Sequence, residues 1–414
     1  MTAPAEPNPA FTGHARGSGP YRRLLAALFF AGVATFAQLY SPQATLPEIA
    51  ADFDVDAAAS ALTISAATLG LAVGVIPWSA VADRIGRVRT MAIAITAATA
   101  FGLVVPFIPW FGLMLTGRFF EGLMIGGVPA IAIAYLAEEV DPRSAARAAG
   151  TYVAGTTIGG LSGRLIAGPV AEWIGWRLGV FAVAVVCAAS AVAFIALAPR
   201  PRGFTPSRAR GGAAVRALAS RLATHLRSRR QLALYFQVLA LMGAFVAMYN
   251  FLTFRLEAPP FGLPTGVTAL IFLAYLAGTW SSQRAGALAS RYRRMPVLLA
   301  SALLMAAGVL ITLVDALPVV IAGLVIATAG FFGAHAVASG WTGADATTGR
   351  AQASSLYNLF YYVGSSVFGW LGGVFFALAG WGGAVAMIIV LVAVAMVVAA
   401  TVLRGGPTPA RPPR

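Results

Sequence analysis

The sequence SAVADRIGRVR, at residues 79–89, is a short and strongly basic joint between two long apolar runs. A similar joint, GALASRYRR, stands at residues 286–294 and also follows an apolar run. At an offset of 207 residues the two joints share an alanine and two arginines, which are Ala82/Ala289, Arg84/Arg291 and Arg87/Arg294. This recurrence indicates that the chain contains two similar halves.

A second set of matches supports the same division of the chain. At an offset of 205 residues, five residues of the first half recur in the second: Tyr152/Tyr357, Gly159/Gly364, Gly168/Gly373, Gly175/Gly380 and Trp176/Trp381. The two offsets are nearly equal although they come from separate places. Such a repeat predicts two parallel halves related by an axis normal to a membrane.

The composition places both halves in a membrane. Of the 414 residues, 59% are hydrophobic and only 10% are charged. A soluble domain has roughly 45–50% apolar and about 25% charged residues. This chain therefore has too few charges to cover a water-facing surface.

Twelve apolar runs are long enough to cross a bilayer, because a hydrocarbon core of ~30 Å takes about 20 helical residues. The first six are predicted at residues 24–46, 57–81, 90–108, 111–136, 146–170 and 178–198. The second six are predicted at residues 231–253, 265–283, 296–314, 317–339, 352–378 and 382–403. The predicted fold is an all-α polytopic membrane protein, with 12 transmembrane helices in two pseudo-symmetric six-helix halves.

The arginines predict the orientation of the chain. All 29 basic residues are arginine, and all but four lie in the tails or in joints on one side of the predicted membrane. The four exceptions are Arg118, Arg164, Arg177 and Arg255. The positive-inside rule therefore places both termini in the cytoplasm of a bacterial inner membrane.

Five segments follow from these boundaries: a disordered cytoplasmic tail (1–21), the N-terminal half (22–198), a basic cytoplasmic linker (199–230), the C-terminal half (231–403) and a second cytoplasmic tail (404–414). The linker carries nine arginines and no acidic residue, and its part 213–230 fits an amphipathic helix. This charge predicts contact with membrane lipids. Regulation by a partner is the alternative.

Several classes of function find no support in the sequence. The single cysteine, Cys187, allows no intramolecular disulfide, and His14, His225 and His335 lack metal-ligand spacing. We find no nucleotide-binding Gly-x-x-x-x-Gly-Lys-Ser/Thr loop and no convergent nucleophile and base. We therefore expect no enzyme activity, cofactor or metal. The distribution of the arginines around the spans also argues against nucleic-acid binding.

Three motifs carry a resemblance to a known family. DRIGRVR at 83–89 resembles the loop motif Gly-x-Leu-Ala-Asp-Arg-x-Gly-Arg-Arg of the major facilitator superfamily, and RFFEG at 118–122 resembles its second motif. GTTIGGLSG at 155–163 is similar to the glycine-rich motif of the drug–proton antiporter branch. LYSPQATLP at 39–47 and AEE at 137–139 resemble arabinose- or multidrug-efflux permeases. The resemblance extends over residues 22–403.

The resemblance implies roles for two groups of residues. An inner gate, in which Asp83 and the arginines bridge the halves, would comprise Asp83, Arg84, Gly86, Arg87, Arg291 and Arg294. An antiporter-like helix, whose glycines permit close packing, would comprise Gly155, Gly159, Gly160, Gly163 and Arg164. The chain departs from the family pattern where Ser79 replaces the first glycine of the loop, and where Arg164 follows Gly163 in place of proline.

Ionisable residues within the spans are functional candidates, because each costs about 2.5–3.5 kcal/mol to insert. Arg118 and Glu121 are three residues apart on one helix face and are predicted to carry proton coupling, with a structural ion pair as the alternative. Arg164 is expected near the outer end of its span, where its side chain could reach the membrane surface. His335 is expected near the inner end of its span, as a packing residue.

Polar and aromatic residues in three spans predict a substrate cavity between the halves. A lipid-facing surface would not hold so many hydroxyl and amide groups. The predicted lining is Gln38, Tyr40, Gln43, Thr157, Tyr357, Asn358, Tyr361 and Tyr362. These groups suit drug-like or sugar-like molecules and do not choose between them.

The sequence thus favours a monomeric, proton-coupled secondary transporter that exports small organic molecules by alternating access. The expected partners are the substrate, protons and membrane lipids. A uniporter or importer of a sugar or metabolite is the alternative within transport, and a lipid flippase is the alternative in another class.

Overall fold

The structure is a computed structural model that describes residues 11–204, 220 and 222–404, and nearly all of these residues are helical. Ten helical segments of the described chain are long and apolar enough to cross a membrane. One of them, Gln352–Val402, is two helices joined at a kink, and Ala145–Ile174 adds a further long helix. The predicted pattern of about twelve membrane-competent helices is confirmed.

The N-terminal half contains six helical spans, three of which are not continuous α-helices. Its α-helices are α1 (Gly19–Tyr40), α2 (Leu46–Phe53), α3 (Ala57–Ile85), α4 (Arg87–Val104), α5 (Phe111–Ile125), α6 (Pro129–Glu139), α7 (Ala145–Ile174) and α8 (Trp176–Leu197). A 3-10 helix with Pro42 joins α1 to α2, because proline lacks the N–H that a continuous α-helix requires.

The C-terminal half repeats this arrangement. Its α-helices are α9 (Arg229–Glu257), α10 (Thr265–Thr268), α11 (Tyr275–Arg291), α12 (Arg294–Ile311), α13 (Leu317–Asp345) and α14 (Arg350–Val402). A 3-10 helix, Ala269–Ala274, joins α10 to α11, so that these three elements form one span. Within α14 the kink lies at Ala379 and Gly380.

The glycine–tryptophan pairs of the sequence repeat form equivalent turns in the two halves. Gly175, between α7 and α8, has φ +90°, and Gly380, at the kink of α14, has φ +57°. Side chains rarely tolerate such angles, so glycine is favoured at both turns. The following tryptophans are buried, with Trp176 bonded to Asp52 and Trp381 bonded to Thr312. The repeat therefore has a structural counterpart.

The two sides of the helix bundle carry different parts of the chain. The side that carries both chain ends and Gly86 is called the terminal side. The side that carries residues 54–56, 108–110 and Gly175 is called the opposite side. The basic joint at 83–89 lies on the terminal side, which the charge rule predicts to be cytoplasmic.

Residues 11–18, which the sequence predicted to be part of a disordered tail, contact the terminal side. The amide of His14 donates to the carbonyl of Glu139, and its imidazole lies 3.7 Å from the Glu139 carboxylate. That carboxylate also accepts from the backbone of Arg202 and Gly203, at the start of the linker. The tails at 1–10 and 405–414 and most of the linker, 205–219 and residue 221, lie outside the described residues.

A seam of glycines holds α7 against α1. The α-carbon of Gly159 faces Val33, and that of Gly163 faces Ala37, so closely that a methyl group at either position would lie within 2.7 Å of α1 backbone atoms. At Gly155 a methyl group would overlap the carbonyl oxygen of Phe29. The predicted close packing is therefore present at Gly155, Gly159 and Gly163, whereas a methyl group at Gly160 would meet only the Arg164 side chain.

We expect Gly155→Ala to lower the thermal unfolding midpoint of the purified protein by several degrees, because overpacking typically costs about 1–3 kcal/mol. Gly150→Ala is the matched control on the same helix, since a methyl group there meets no atom within 4 Å. The control is expected to match or exceed the unsubstituted protein, because alanine favours helix more than glycine does. Equal midpoints for the two variants would show that the seam can relax.

Hydrogen bonds join the two halves near the middle of the bundle and on the opposite side. Gln43 donates to Asn250 at 2.7 Å, and the amide of Gly266 donates to Glu172 at 2.9 Å. Ser65 of α3 and Ser366 of α14 each donate to the other's carbonyl oxygen at 2.8 Å. These contacts bring the halves together on the side away from the chain ends.

Candidate functional site

Arg118 and Glu121 form a buried ion pair inside the N-terminal half. The Nη1 atom of Arg118 lies 2.7 Å from Oε2 of Glu121, and the two residues are 2% and 1% exposed. The guanidinium also donates to the carbonyls of Leu39, at the end of α1, and Thr63 of α3. The pair that the sequence predicted is thus present, and it connects α5 to α1 and α3.

Arg164 lies deep in the protein, which corrects the expectation that it reaches the membrane surface. It is 2% exposed, and α7 continues ten residues beyond it to Ile174. Its Nε donates to Oε1 of Gln43 at 2.7 Å, and its Nη1 donates to the carbonyl of Gly160 at 2.6 Å. The side chain therefore points into the interior of the protein and does not extend along the helix toward water.

Three aromatic rings surround the Arg164 guanidinium. Its central carbon lies 4.6 Å from the ring centroid of Tyr40, 4.7 Å from that of Phe272 and 5.0 Å from that of Tyr275. The Tyr275 hydroxyl also accepts a long bond, 3.4 Å, from Nη2. Because Phe272 and Tyr275 belong to the C-terminal half, Arg164 sits where the two halves meet.

A second aromatic group surrounds His335. The His335 ring stacks on Phe331, and its Nδ1 is 3.0 Å from the Tyr357 hydroxyl. The Tyr361 ring lies 5.3 Å from His335 and 5.1 Å from Tyr362. His335 thus packs among rings, as the sequence predicted, and it also bonds to the hydroxyl of a predicted cavity residue. It lies ten residues before the end of α13, however, and not near the inner end of its span as expected.

The other predicted cavity residues differ in their exposure and in the half that they face. Asn358 is exposed and Thr157 is half-exposed, with its hydroxyl bonded to Val153 of its own helix. Gln38 is buried and donates to the carbonyl of Ala98 in α4, so it faces the interior of the N-terminal half. The structure therefore brings Tyr40 and Gln43 to the contact between the halves and leaves Gln38 away from it.

The predicted inner-gate residues make their contacts within one half in this structure. The Arg87 guanidinium bonds to Asp83 at 2.6 Å and to Glu138 at 2.8 Å, all in the N-terminal half. Arg84 and Arg291 are exposed, Arg294 is half-buried, and Gly86 makes the turn between α3 and α4 with φ +95°. Glu138 is a partner that the sequence analysis did not assign to this group.

The sequence analysis missed the residues that the C-terminal half contributes to the centre. Asn250, which accepts from Gln43, is fully buried, and Phe272 and Tyr275 cover Arg164. A signal for Asn250 was available: it stands 207 residues after Gln43, the offset of the repeated joints. The two equivalent polar positions therefore meet between the halves.

Comparison with known proteins settles the family. The model of the Major Facilitator Superfamily matches residues 28–334. This chain belongs to the major facilitator superfamily. It is 36% identical over 381 residues to the uncharacterized MFS-type transporter YybF of Bacillus subtilis, covering 92% of this chain and 93% of that protein. It is 38% identical over 384 residues to the inner membrane transport protein YnfM of Escherichia coli, covering 92% and 91%.

A solved structure shows the same fold. A bacterial homolog of the human lysosomal transporter Spinster, in an inward-facing and unoccupied conformation, superposes with a TM-score of 0.78. The match covers 95% of this chain and 100% of that one at 16% identity. The major facilitator fold of two six-helix halves is confirmed, and the chain is a multi-pass membrane transporter and not an enzyme.

Proposed function

We propose that this major facilitator transporter exports small organic molecules in exchange for protons, by alternating access between its two halves. The observation that carries the proton coupling is Glu121, a carboxylate that is 1% exposed within a membrane span. Glu139 is the other buried acid of the described chain, and it ends α6 on the terminal side. Export is supported by the similarity of the glycine-rich helix α7, which packs on α1, to the antiporter motif.

The geometry supports Glu121 as a site that can exchange a proton. Burial in a medium of low dielectric favours the neutral acid, whereas the Arg118 guanidinium 2.7 Å away favours the carboxylate. The two effects oppose each other, so a change in water access can reverse the balance. Arg118 is anchored to backbone carbonyls of α1 and α3, so movement of these helices would alter the pair.

The remaining roles are part of the same proposal. Asp83, with the arginines of the repeated joints, would close the terminal side when the opposite side opens. The terminal side would face the cytoplasm of a bacterial inner membrane, with both chain ends inside and the basic linker along the lipid surface. The protein would work as a monomer.

The experiment that tests the coupling uses Glu121→Gln in proteoliposomes, with a substrate found by export profiling of cells with and without the gene. We expect substrate exchange to continue and accumulation driven by a pH difference to fall to background. The amide still accepts a hydrogen bond from Arg118, so the fold should persist. Asp54→Asn is the control, since Asp54 is exposed, forms no ion pair within the described residues and has a left-handed backbone that asparagine tolerates.

Accumulation by the Glu121→Gln protein under an imposed pH difference would contradict the proposal and remove Glu121 from the coupling. Loss of exchange together with accumulation would instead show that the pair is needed for the transport cycle itself. Substrate that only equilibrates in the unsubstituted protein, at every imposed pH difference, would identify a uniporter.

A further inference from the structure

Arg164 differs from the other buried arginines in having no acidic partner. Arg118 is paired with Glu121, and Arg255 is paired with Asp315 at 2.7 Å. In the part of the chain that the structure describes, no carboxylate lies within 4 Å of Arg164. Arg164 is therefore a buried cation without an ion-pair partner among the described residues, and the acids nearest to this contact, such as Glu172 on Gly266, lie farther along toward the opposite side.

The depth of this charge makes it costly. Arg164 is ten residues from the end of α7, which at ~1.5 Å per residue is about 15 Å, half the thickness of a hydrocarbon core. A buried arginine at that depth is expensive to insert and usually has a functional partner. The described groups that bond to it are neutral, so a ligand could supply the charge that balances it.

The guanidinium also has unused hydrogen-bonding capacity. An arginine carries five N–H donors. Three of those on Arg164 have acceptors among the described residues: Oε1 of Gln43, the carbonyl of Gly160 and the distant hydroxyl of Tyr275. By contrast, the guanidinium of Arg118 reaches four acceptors, one of them charged. One N–H donor on each Nη therefore remains, and Arg164 can donate both to a further acceptor such as a carboxylate.

The surroundings also restrict the rest of such a ligand. The rings of Tyr40, Phe272 and Tyr275 lie around the guanidinium. They form an apolar wall against the cation. An anion with an aromatic or aliphatic body would pack against this wall, in place of part of its contact with the guanidinium, while the charged group meets Arg164.

We propose that the substrates are small organic carboxylates with an apolar body, and that Arg164 binds their carboxylate group. The inference rests on the proposed transport function and specifies its substrate class. It also links binding to the contact between the halves. A carboxylate bound by the two free donors would draw the guanidinium away from the neutral oxygen of Gln43, whose amide nitrogen donates to Asn250 of the other half. Occupancy would therefore weaken this contact between the halves.

The test measures binding by the purified protein in lipid nanodiscs at neutral pH, without any gradient. The probes are benzoate, phenylacetate and hexanoate, each compared with its own amide, and the readout is the rise in thermal unfolding midpoint with probe concentration. We expect at least one acid to raise the midpoint while its amide does not. Arg164→Gln should abolish that rise, and Arg164→Lys, which keeps the charge but loses the fork, should weaken it.

Arg177→Gln is the control, because Arg177 lies on the opposite side and pairs with Asp52. It should leave the rise unchanged. The proposal is overturned if no acid exceeds its amide, or if the rise survives in Arg164→Gln. Should Arg164→Gln not yield folded protein, the comparison of Arg164→Lys with the unsubstituted protein decides. Because no proton gradient is used, failure here leaves the coupling at Glu121 standing, and failure of coupling leaves this binding intact.

Discussion

Replacing Arg118 by leucine is expected to remove most of the folded protein, and to do so mainly through Glu121. The carboxylate would remain buried without its cation, and removing one partner of a buried ion pair typically costs about 3–5 kcal/mol. That is a large part of the stability of an ordinary domain. Expression followed by size-exclusion chromatography and a thermal unfolding midpoint measures the loss.

The double variant Arg118→Leu/Glu121→Leu separates the two contributions of this arginine. It removes the stranded charge, so it is expected to recover part of the lost stability. Recovery should be incomplete, because Arg118 also donates to the carbonyls of Gln38 and Leu39. These carbonyls belong to the last turn of α1, where a cation is favourable.

The single variant Glu121→Leu is compared with Arg118→Leu. In Glu121→Leu, Arg118 would keep three backbone acceptors, so the loss of stability should be smaller than in Arg118→Leu. A double variant that is no more stable than Arg118→Leu would show that the carbonyl contacts, and not the ion pair, dominate at this position.

The fold could be predicted because its signals are local or repeated. Apolar runs of about 20 residues give the spans one by one, and the helix bounds differ from the predicted ones by only a few residues at most ends. The Gly175-Trp176 and Gly380-Trp381 pairs, found as matches of the repeat, lie at two equivalent turns. Each of these features depends on neighbours along the chain, which a single sequence displays.

The site could be predicted only in part, because it depends on contacts between distant residues. Arg164 contacts Gln43 and Tyr275, which are 121 and 111 residues away. Its depth was also misjudged, since α7 runs to Ile174 whereas the predicted span stopped at 170. Four residues of helix correspond to about 6 Å, enough to move a side chain from the interfacial region toward the interior.

Gln38 was wrongly predicted to line the substrate cavity. Its neighbours Tyr40 and Gln43 do reach the contact between the halves, and the polar side chain of Gln38 suggested the same position. On a helix, however, residues two apart point in different directions, and Gln38 turns toward α4, where its amide packs on Gly102. Only the placement of α1 within the bundle decides which of these polar residues faces the other half.

A disulfide between the halves is expected to block most of the transport, and reduction of the disulfide is expected to restore it. Ser65 and Ser366 exchange two side-chain hydrogen bonds of 2.8 Å across the contact between α3 and α14. Such reciprocal contacts bring the two β-carbons close, and a cysteine has nearly the shape of a serine. Oxidised Ser65→Cys/Ser366→Cys should therefore lose at least about tenfold of its transport rate, because alternating access requires the halves to rock apart.

The control is a disulfide within one half. A β-carbon at Gly333 would lie 3.4 Å from that of Ser301, near the ~3.5–4.5 Å that a disulfide spans, and both residues belong to the C-terminal half. Oxidised Ser301→Cys/Gly333→Cys should continue to transport, since α12 and α13 move together. Reductant should restore the Ser65→Cys/Ser366→Cys protein, and each single variant should work in both redox states. Normal transport by the fully cross-linked Ser65–Ser366 protein would show that the halves turn about this contact. The contacts that open during transport would then be those of Gln43, Asn250 and the residues around Arg164.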